Sequence, residues 1–205
     1  MTEGYEKYLL ENASRIFSHL RGEDPRRTAE RIFEKYGSLE MAFCSPYSEL
    51  EESFGKQTAH YIKILAEVTS RRITDGFEFG SVYSESAVSE YLKGLCLSAE
   101  QERVYVLFLD DEKRVLGCKM ISEGTVNSSD IFVRKIIENA IEYSSHRIIL
   151  AHNHPRGEAK PSACDVSMLK MTRETLEYAG ISIEYCVVVA GWKADVISFD
   201  GEGSL

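Results

Sequence analysis

The most informative segment of this chain is AHNHPRGEAKPSACD, residues 151–165. Residues 147–150 before it, RIIL, are rich in β-branched side chains and predict a buried strand. Residues 166–179 after it predict a helix, and two prolines and a glycine lie between the two elements. The segment therefore brings two histidines, a serine and an aspartate to a place where a strand becomes a loop and then a helix.

The spacing of these side chains is suited to metal binding. His152 and His154 are two residues apart at a strand end, so both imidazoles point to the same face. Ser162 stands at the predicted N-cap of the helix, and Asp165 follows in the first turn on the same side. Two imidazoles and a carboxylate suit Zn²⁺, and three protein ligands leave the fourth position open, as in catalytic zinc sites.

A simpler interpretation of the same residues needs no metal. Ser162 and Asp165 fit a capping box, with aspartate in place of the preferred glutamate. Single histidines beside strands are usually structural or exposed. Turn and cap residues alone do not require two imidazoles, however, so capping does not account for His152 and His154.

The motif resembles that of a known family. The pattern His152-x-His154, seven residues, Ser162, two residues, Asp165 resembles the JAB/MPN (JAMM) metalloprotease motif. The fuller run from His152 through Pro155, Gly157 and Pro161 is similar to the RadC branch, and the resemblance extends upstream through EGT at 123–125 and Arg134. It covers about half the chain well, and the first eighty or so residues resemble the RadC amino-terminal helical domain more loosely.

The resemblance implies a fold and a domain organisation. The fold class is α+β, with a JAB/MPN-like mixed β-sheet flanked by helices and preceded by a small all-α domain. We expect a helical, helix-hairpin-helix-like domain at residues 1–76 and a RadC-type metal-binding domain at residues 82–205.

The resemblance also implies roles for the site residues. One Zn²⁺ per chain would be held by His152, His154 and Asp165, and the Ser162 hydroxyl would polarise the scissile carbonyl oxygen. In JAMM enzymes the general base is a glutamate upstream of the metal loop, near an early strand, and Glu102 is the residue that matches it.

The identity of the base is open by a residue or two. Glu100 and Gln101 leave the register of Glu102 uncertain, Glu123 is a further candidate, and Glu158 is the glutamate of the metal loop itself. In the absence of the resemblance, Glu102 would be read as an exposed acid at a strand end.

Two positions depart from the RadC pattern. Glu184-Tyr185 stands where RadC proteins typically carry Asp-His, and Arg156 replaces a small residue after the His-Asn-His-Pro run. Arg156 at the rim would bind an acidic or phosphorylated ligand or project into solvent. Cys164, beside Asp165, is interpreted as a bystander because no base lies next to it in sequence.

Composition narrows the class of protein. The chain has 205 residues and a net charge of −9, which argues against a broad, sequence-independent grip on nucleic acid. It has no apolar run of the roughly twenty residues that a membrane helix needs, and its start lacks signal-peptide features, so we expect a cytoplasmic protein without membrane contact. Five cysteines without a Cys-x-x-Cys pair argue against a disulfide scaffold.

Patterning along the chain predicts the remaining elements. Apolar spacing and cap residues predict a bundle of small helices up to about residue 72, a linker at 73–84 and a helix at 84–95. Strands are predicted at 104–109, 115–121, 181–189 and 196–199, with helices near 131–141 and at 163–179.

The helical region raises the question of DNA contact. In RadC proteins it resembles a helix-hairpin-helix module, whose glycine-bearing turn meets phosphate through backbone amides. The corresponding turn here, residues 51–57, has one glycine and two acids before it, and Arg26, Arg27 and Arg31 form a basic face. The acids and the net charge argue against DNA binding.

Three functions therefore remain open. The leading hypothesis is a zinc-dependent hydrolase of peptide or isopeptide bonds. The alternative is a DNA-repair-associated, DNA-binding factor in which the metal domain is a nuclease or a non-catalytic scaffold. The third is an interaction protein that keeps zinc only to hold the loop.

Overall fold

The computed structural model describes residues 3–20, 24–124 and 129–198. The helices within these residues are α1 (Glu3–Phe17), α2 (Pro25–Tyr36), α3 (Leu39–Phe43), α4 (Tyr47–Phe54), α5 (Lys56–Thr74), α6 (Glu85–Cys96), α7 (Ser129–Glu142) and α8 (Ala163–Tyr178). The strands are β1 (Arg103–Leu109), β2 (Val115–Glu123), β3 (Arg147–Asn153), β4 (Ser182–Ala190) and β5 (Lys193–Ser198). Phe199, predicted as the end of the last strand, and Thr125 of the EGT run lie outside the described residues.

Local sequence signals set the ends of the first helices. Asp24 caps α2 by accepting the amide of Arg26 at 2.9 Å, and Gly37 ends it in the left-handed conformation at φ 78°. Ser38 caps α3 by accepting the amide of Met41 at 3.2 Å. Helix α4 begins after Pro46, which supplies no side-chain cap.

The strands form one mixed sheet in the order β2-β1-β3-β4-β5. Strand β1 pairs antiparallel with β2 and β3, β3 pairs parallel with β4, and β4 pairs antiparallel with β5. The prediction of a mixed sheet flanked by helices and preceded by a helical region is confirmed.

The two faces of the sheet bury different side chains. One face packs under α7 and α8 and carries Val104, Val106 and Leu150. The other packs under α6 and carries Tyr105 and Ile149. Both faces of β1 are therefore buried, which accounts for its continuous apolar sequence.

The helical region packs directly on the sheet domain. Leu97, just after α6, is buried in the core formed by α1 to α5. Gly94 in α6 lets Ile73 of α5 approach closely, and Gly191 in the β4–β5 turn does the same for Met41 of α3. The proposed domain boundary between residues 76 and 82 thus falls beside an extensive contact, and it remains a prediction.

None of the helices in the described ranges is long and apolar enough to cross a membrane.

Candidate metal centre

The histidines are positioned by strand β3 and its two neighbours. His152 lies opposite Val104 of β1 and pairs with Val188 of β4. His154 follows the strand end, and its amide donates a hydrogen bond of 2.8 Å to the carbonyl of Val189. This bond continues the parallel pairing with β4, so both imidazoles emerge on the face covered by α7 and α8.

Asp165 is positioned by the start of α8. Its amide donates to Ser162 Oγ at 3.2 Å, and its Oδ2 accepts from the Ser162 amide at 2.7 Å and the Ser162 hydroxyl at 2.6 Å. The capping box is therefore formed. Capping and metal binding are not exclusive here, because the cap fixes the carboxylate that faces the histidines.

The three expected ligands converge. Asp165 Oδ2 lies 3.6 Å from His152 Nε2 and 3.3 Å from His154 Nε2. Each residue offers one ligand atom, and these three atoms all lie within 4.8 Å of one another. The side chains of His152, His154 and Asp165 are only 12%, 16% and 21% exposed, respectively. This group can hold a metal ion.

Hydrogen bonding around the histidines fits a metal in that position. His152 Nε2 is buried and, among the described atoms, has no hydrogen-bond partner, although buried polar groups are almost always paired. His154 Nδ1 lies 3.0 Å from the carbonyl of Glu158, which fixes its ring and leaves Nε2 facing Asp165. Metal-binding histidines are commonly oriented by such a bond from the other ring nitrogen.

The electrostatics favour the protonation states that a metal requires. Burial holds the pKa of His152 below its usual 6.5, against the opposing effect of Asp165, so the imidazole stays neutral near pH 7. Desolvation alone would raise the pKa of Asp165. Hydrogen bonds from Ser162 and the nearby histidines outweigh it and hold this pKa below 3.8, so the carboxylate stays ionised.

An open cleft of about 570 Å³ leads to these ligands. It is lined by Glu100, Glu102, His154, Pro155, Arg156, Gly157, Ser162, Cys164 and Asp165. Continuing the β1–β3 register by two residues places Glu102 opposite His154, and residues opposite each other point to the same face. This register explains why an acid fifty residues upstream reaches the metal cleft.

The other candidate bases are engaged elsewhere. Glu100 forms an ion pair of 2.7 Å with Lys63 of α5, and Glu123 forms one of 2.6 Å with Arg103. Glu158 does not line the cleft, and its side chain is 82% exposed. Within the described part of the chain, the Glu102 carboxylate has no hydrogen-bond or ion-pair partner.

The rim residues have distinct environments. Arg156 does not project freely, because its Nη2 lies 3.0 Å from Glu49 Oε2 of α4. Cys164 is exposed at the cleft and is not part of the ligand group. Sequence patterns did not indicate two contributors, Lys63 and Glu49, because they lie far away along the chain.

The turn that corresponds to the helix-hairpin-helix turn is a helix–glycine–helix junction. Gly55, with φ 80°, joins α4 to α5. Part of the expected basic face is engaged within the protein, since Arg31 donates to the carbonyl of Ser53 and lies over the ring of Phe54, and Arg26 pairs with Glu30. DNA binding by this region stays the less favoured alternative.

Comparison with known proteins settles the family. The profile of the RadC-like JAB domain matches residues 82–204. The chain belongs to the RadC family. This RadC family member is 31% identical to a UPF0758 protein of Janthinobacterium sp. (strain Marseille), over 86% of this chain and 80% of the relative.

Other relatives give the same result. A UPF0758 protein of Aliivibrio salmonicida (strain LFI1238) is 29% identical over 90% of this chain and 83% of its own length. One of Vibrio atlanticus (strain LGP32) is 30% identical over 85% of this chain and 79% of its own length. The RadC resemblance and its JAB-type domain are confirmed, while the names of these relatives state no activity.

Proposed function

We propose that this RadC family member is a zinc-dependent hydrolase of peptide or isopeptide bonds. The observation that carries the proposal is the geometry of the cleft, where His152, His154 and Asp165 converge beside Glu102, whose carboxylate has no partner among the described residues. Two imidazoles and one carboxylate with an open approach are a ligand set typical of catalytic zinc.

The metal and the glutamate would divide the chemistry. Zinc held by His152, His154 and Asp165 would supply Lewis acidity, which activates water for attack near neutral pH. Glu102 would accept the proton of the attacking water at a carboxylate oxygen and pass it to the leaving amine. An uncommitted carboxylate suits this role, since the ion pairs of Glu100 and Glu123 would have to break first.

Ser162 would act on the oxygen of the scissile carbonyl. Its hydroxyl now donates to Asp165 and must turn toward the cleft to donate to an oxyanion. Asp165 keeps the hydrogen bond from the Ser162 amide when the hydroxyl turns, so the ligand stays oriented.

Elemental analysis of purified protein tests the site first. We expect about one zinc per chain in the wild type and in His146→Ala, a variant of an exposed histidine before β3, and none in His154→Ala. A wild type that stays empty after zinc is added back would contradict the proposal.

A peptidase screen then tests the chemistry. Zinc-loaded wild type and Glu102→Gln are compared on a fluorogenic peptide library and on isopeptide-linked substrates. We expect cleavage by the wild type and cleavage about 100- to 10,000-fold slower by Glu102→Gln at equal zinc content. Equal cleavage by both would show that Glu102 is not the base.

A further inference from the structure

We propose that Asn153 is a positioning residue that holds Glu102 at the metal cleft by binding the main chain on both sides of it. Asn153 is the middle residue of the His-x-His pair and is 2% exposed. It alternates with the histidines along β3, so its side chain points to the opposite face and is not a metal ligand. The inference rests on the proposed role of Glu102.

Two hydrogen bonds carry the proposal. Asn153 Oδ1 accepts the amide of Arg103 at 2.7 Å, and Asn153 Nδ2 donates to the carbonyl of Gln101 at 3.2 Å. These two groups belong to the residues immediately before and after Glu102. One amide side chain therefore spans Glu102 with a donor and an acceptor carried on two separate atoms.

The place of these bonds in the sheet explains their purpose. The β1–β3 ladder ends at the pair of Val104 and His152, so Glu102 lies beyond the last main-chain pairing. On the other side, the Gly124 amide donates to the Glu102 carbonyl at 2.7 Å. Asn153 and Gly124 thus fix the backbone of a residue whose own side chain is exposed.

Rigid main chain matters for a general base. A carboxylate held within a few tenths of an ångström of its reacting partner avoids an entropic cost, and misplacement by about 1 Å lowers rates roughly 100-fold. The Glu102 side chain has no partner in the described chain to hold it, so its position depends on the backbone. Because Asn153 also lies between His152 and His154, it links the base to the metal ligands through a single strand.

The test compares Asn153→Ala with a matched loss of hydrogen bonds at the other end of the same strand pair. Ser145 is also buried, and its hydroxyl bonds to the amide and carbonyl of Leu109 in β1 at 3.1 and 2.8 Å. Ser145→Ala therefore loosens the β1–β3 pair far from the cleft. Both variants are made in the full chain, loaded with zinc and assayed for metal content.

The first readout is structural and needs no activity. In crystals of the zinc-loaded proteins, we expect the Glu102 carboxylate of Asn153→Ala to move by about 1 Å or more while His152, His154 and Asp165 superpose on the wild type. Amide hydrogen exchange across residues 101–103 should accelerate about tenfold or more. Ser145→Ala should show neither change. An unmoved Glu102 in Asn153→Ala would overturn the proposal.

The second readout is kinetic, on a peptide that the wild type cleaves. Asn153→Ala should lower kcat about 10- to 100-fold with little change in KM, and it should have no further effect in a Glu102→Gln background. Asn153→Asp keeps the acceptor for Arg103 and should fall between the wild type and Asn153→Ala. Equal losses in both backgrounds would mean that Asn153 does not act through Glu102.

The two proposals fail separately. If the wild type cleaves nothing while Glu102 moves in Asn153→Ala crystals, hydrolysis fails and the positioning role stands. If the wild type cleaves, Glu102→Gln is strongly impaired and Asn153→Ala behaves like Ser145→Ala, the hydrolase stands and the positioning role falls.

Discussion

Arg156 of the metal loop and Glu49 of α4, which lie 107 residues apart, form an ion pair of 3.0 Å. Glu49 is itself oriented by the hydroxyl of Tyr36 at 3.0 Å. Glu100, which also lines the cleft, pairs with Lys63 of α5 at 2.7 Å. Two residues that line the cleft are therefore held by side chains of the helical region, which gives this region a structural role at the metal cleft independent of DNA.

Removing the Glu49–Arg156 pair should increase local opening of the metal loop and lower the stability of the whole protein only slightly. Arg156 is 63% exposed, so Glu49→Gln should cost no more than about 1 kcal/mol of unfolding free energy. Hydrogen exchange of residues 155–160 should accelerate. Glu30→Gln, which removes an exposed pair within α2, is the control and should leave the loop unchanged.

Capping and metal binding can be separated at the start of α8. Asp165→Asn keeps an oxygen that accepts the Ser162 amide, so the apo protein should stay about as stable while metal binding is lost. Ser162→Ala should keep the metal, lose about 1 kcal/mol of stability through the cap and lower kcat about 100-fold. Thermal unfolding with and without zinc, together with elemental analysis, measures both. Metal retained at full affinity in Asp165→Asn would exclude this carboxylate as a ligand.

The three upstream glutamates should differ sharply. Glu102→Gln should lower kcat about 100- to 10,000-fold, the range for loss of a general base. Glu100→Gln and Glu123→Gln should lower it only a few-fold, because these carboxylates are already bound to Lys63 and Arg103. Steady-state kinetics on one cleaved peptide measures kcat for all three variants. A larger loss of kcat in Glu100→Gln than in Glu102→Gln would assign the general base to Glu100.

The parts of this site that were predictable are local in sequence. His152, His154 and Asp165 come from one strand–loop–helix unit, so spacing alone brings them together. Glu102 depends on the antiparallel register of β1 and β3, which sequence spacing does not fix and the family resemblance supplied. Asn153 carried a weak signal, as a polar residue that must point away from the histidines at the end of an apolar strand.

The contacts between distant segments could not be predicted. The pairs of Arg156 with Glu49 and of Lys63 with Glu100 depend on how the helical region docks on the sheet. That docking is set by close packing at Gly94 and Gly191, and packing of this kind has no periodic signature. Arg31 likewise looked like a surface charge and instead donates to the last turn of α4.

Glu184 should give the fold a defined acid sensitivity. Its carboxylate accepts from Lys113 at 2.7 Å and Arg147 at 2.5 Å. Burial alone would raise its pKa, but these two cations hold the pKa below 4.5. A lowered carboxylate pKa stabilises the fold above the unfolded-state pKa, and this contribution is lost as the pH falls through the folded-state value.

Glu184→Gln should therefore lower the free energy of unfolding by about 1 to 2 kcal/mol at pH 7. This value lies between the contribution of an exposed ion pair and that of a buried hydrogen bond to a charged group. The difference from the wild type should shrink as the pH falls below about 4.5. Urea unfolding at a series of pH values measures it. Glu67→Gln, which removes an exposed pair with Arg71, should cost less than about 0.5 kcal/mol. A pH-independent cost at position 184 would argue against the ionic contribution.

Gly94 should be intolerant of even a methyl group. A Cβ at this position would lie 2.7 Å from Ile73 Cγ2 and 2.9 Å from Ile73 Cβ, across the contact of α5 with α6. Alanine is worth up to about 1 kcal/mol in helix propensity, but overpacking costs about 1 to 3 kcal/mol, so Gly94→Ala should be net destabilising. In Gly76→Ala, the nearest atom is 3.4 Å away, so this control should be tolerated.

A second substitution shows that the cost of Gly94→Ala arises from this contact. Ile73→Ala removes the Cγ2 atom that would lie 2.7 Å away, so Gly94→Ala should cost less in that background than in the wild type. Because α5 also carries Lys63, the single variant should weaken protection around Glu100 at the cleft rim as well. Urea unfolding and hydrogen exchange measure the two effects, and equal costs in both backgrounds would place the strain elsewhere.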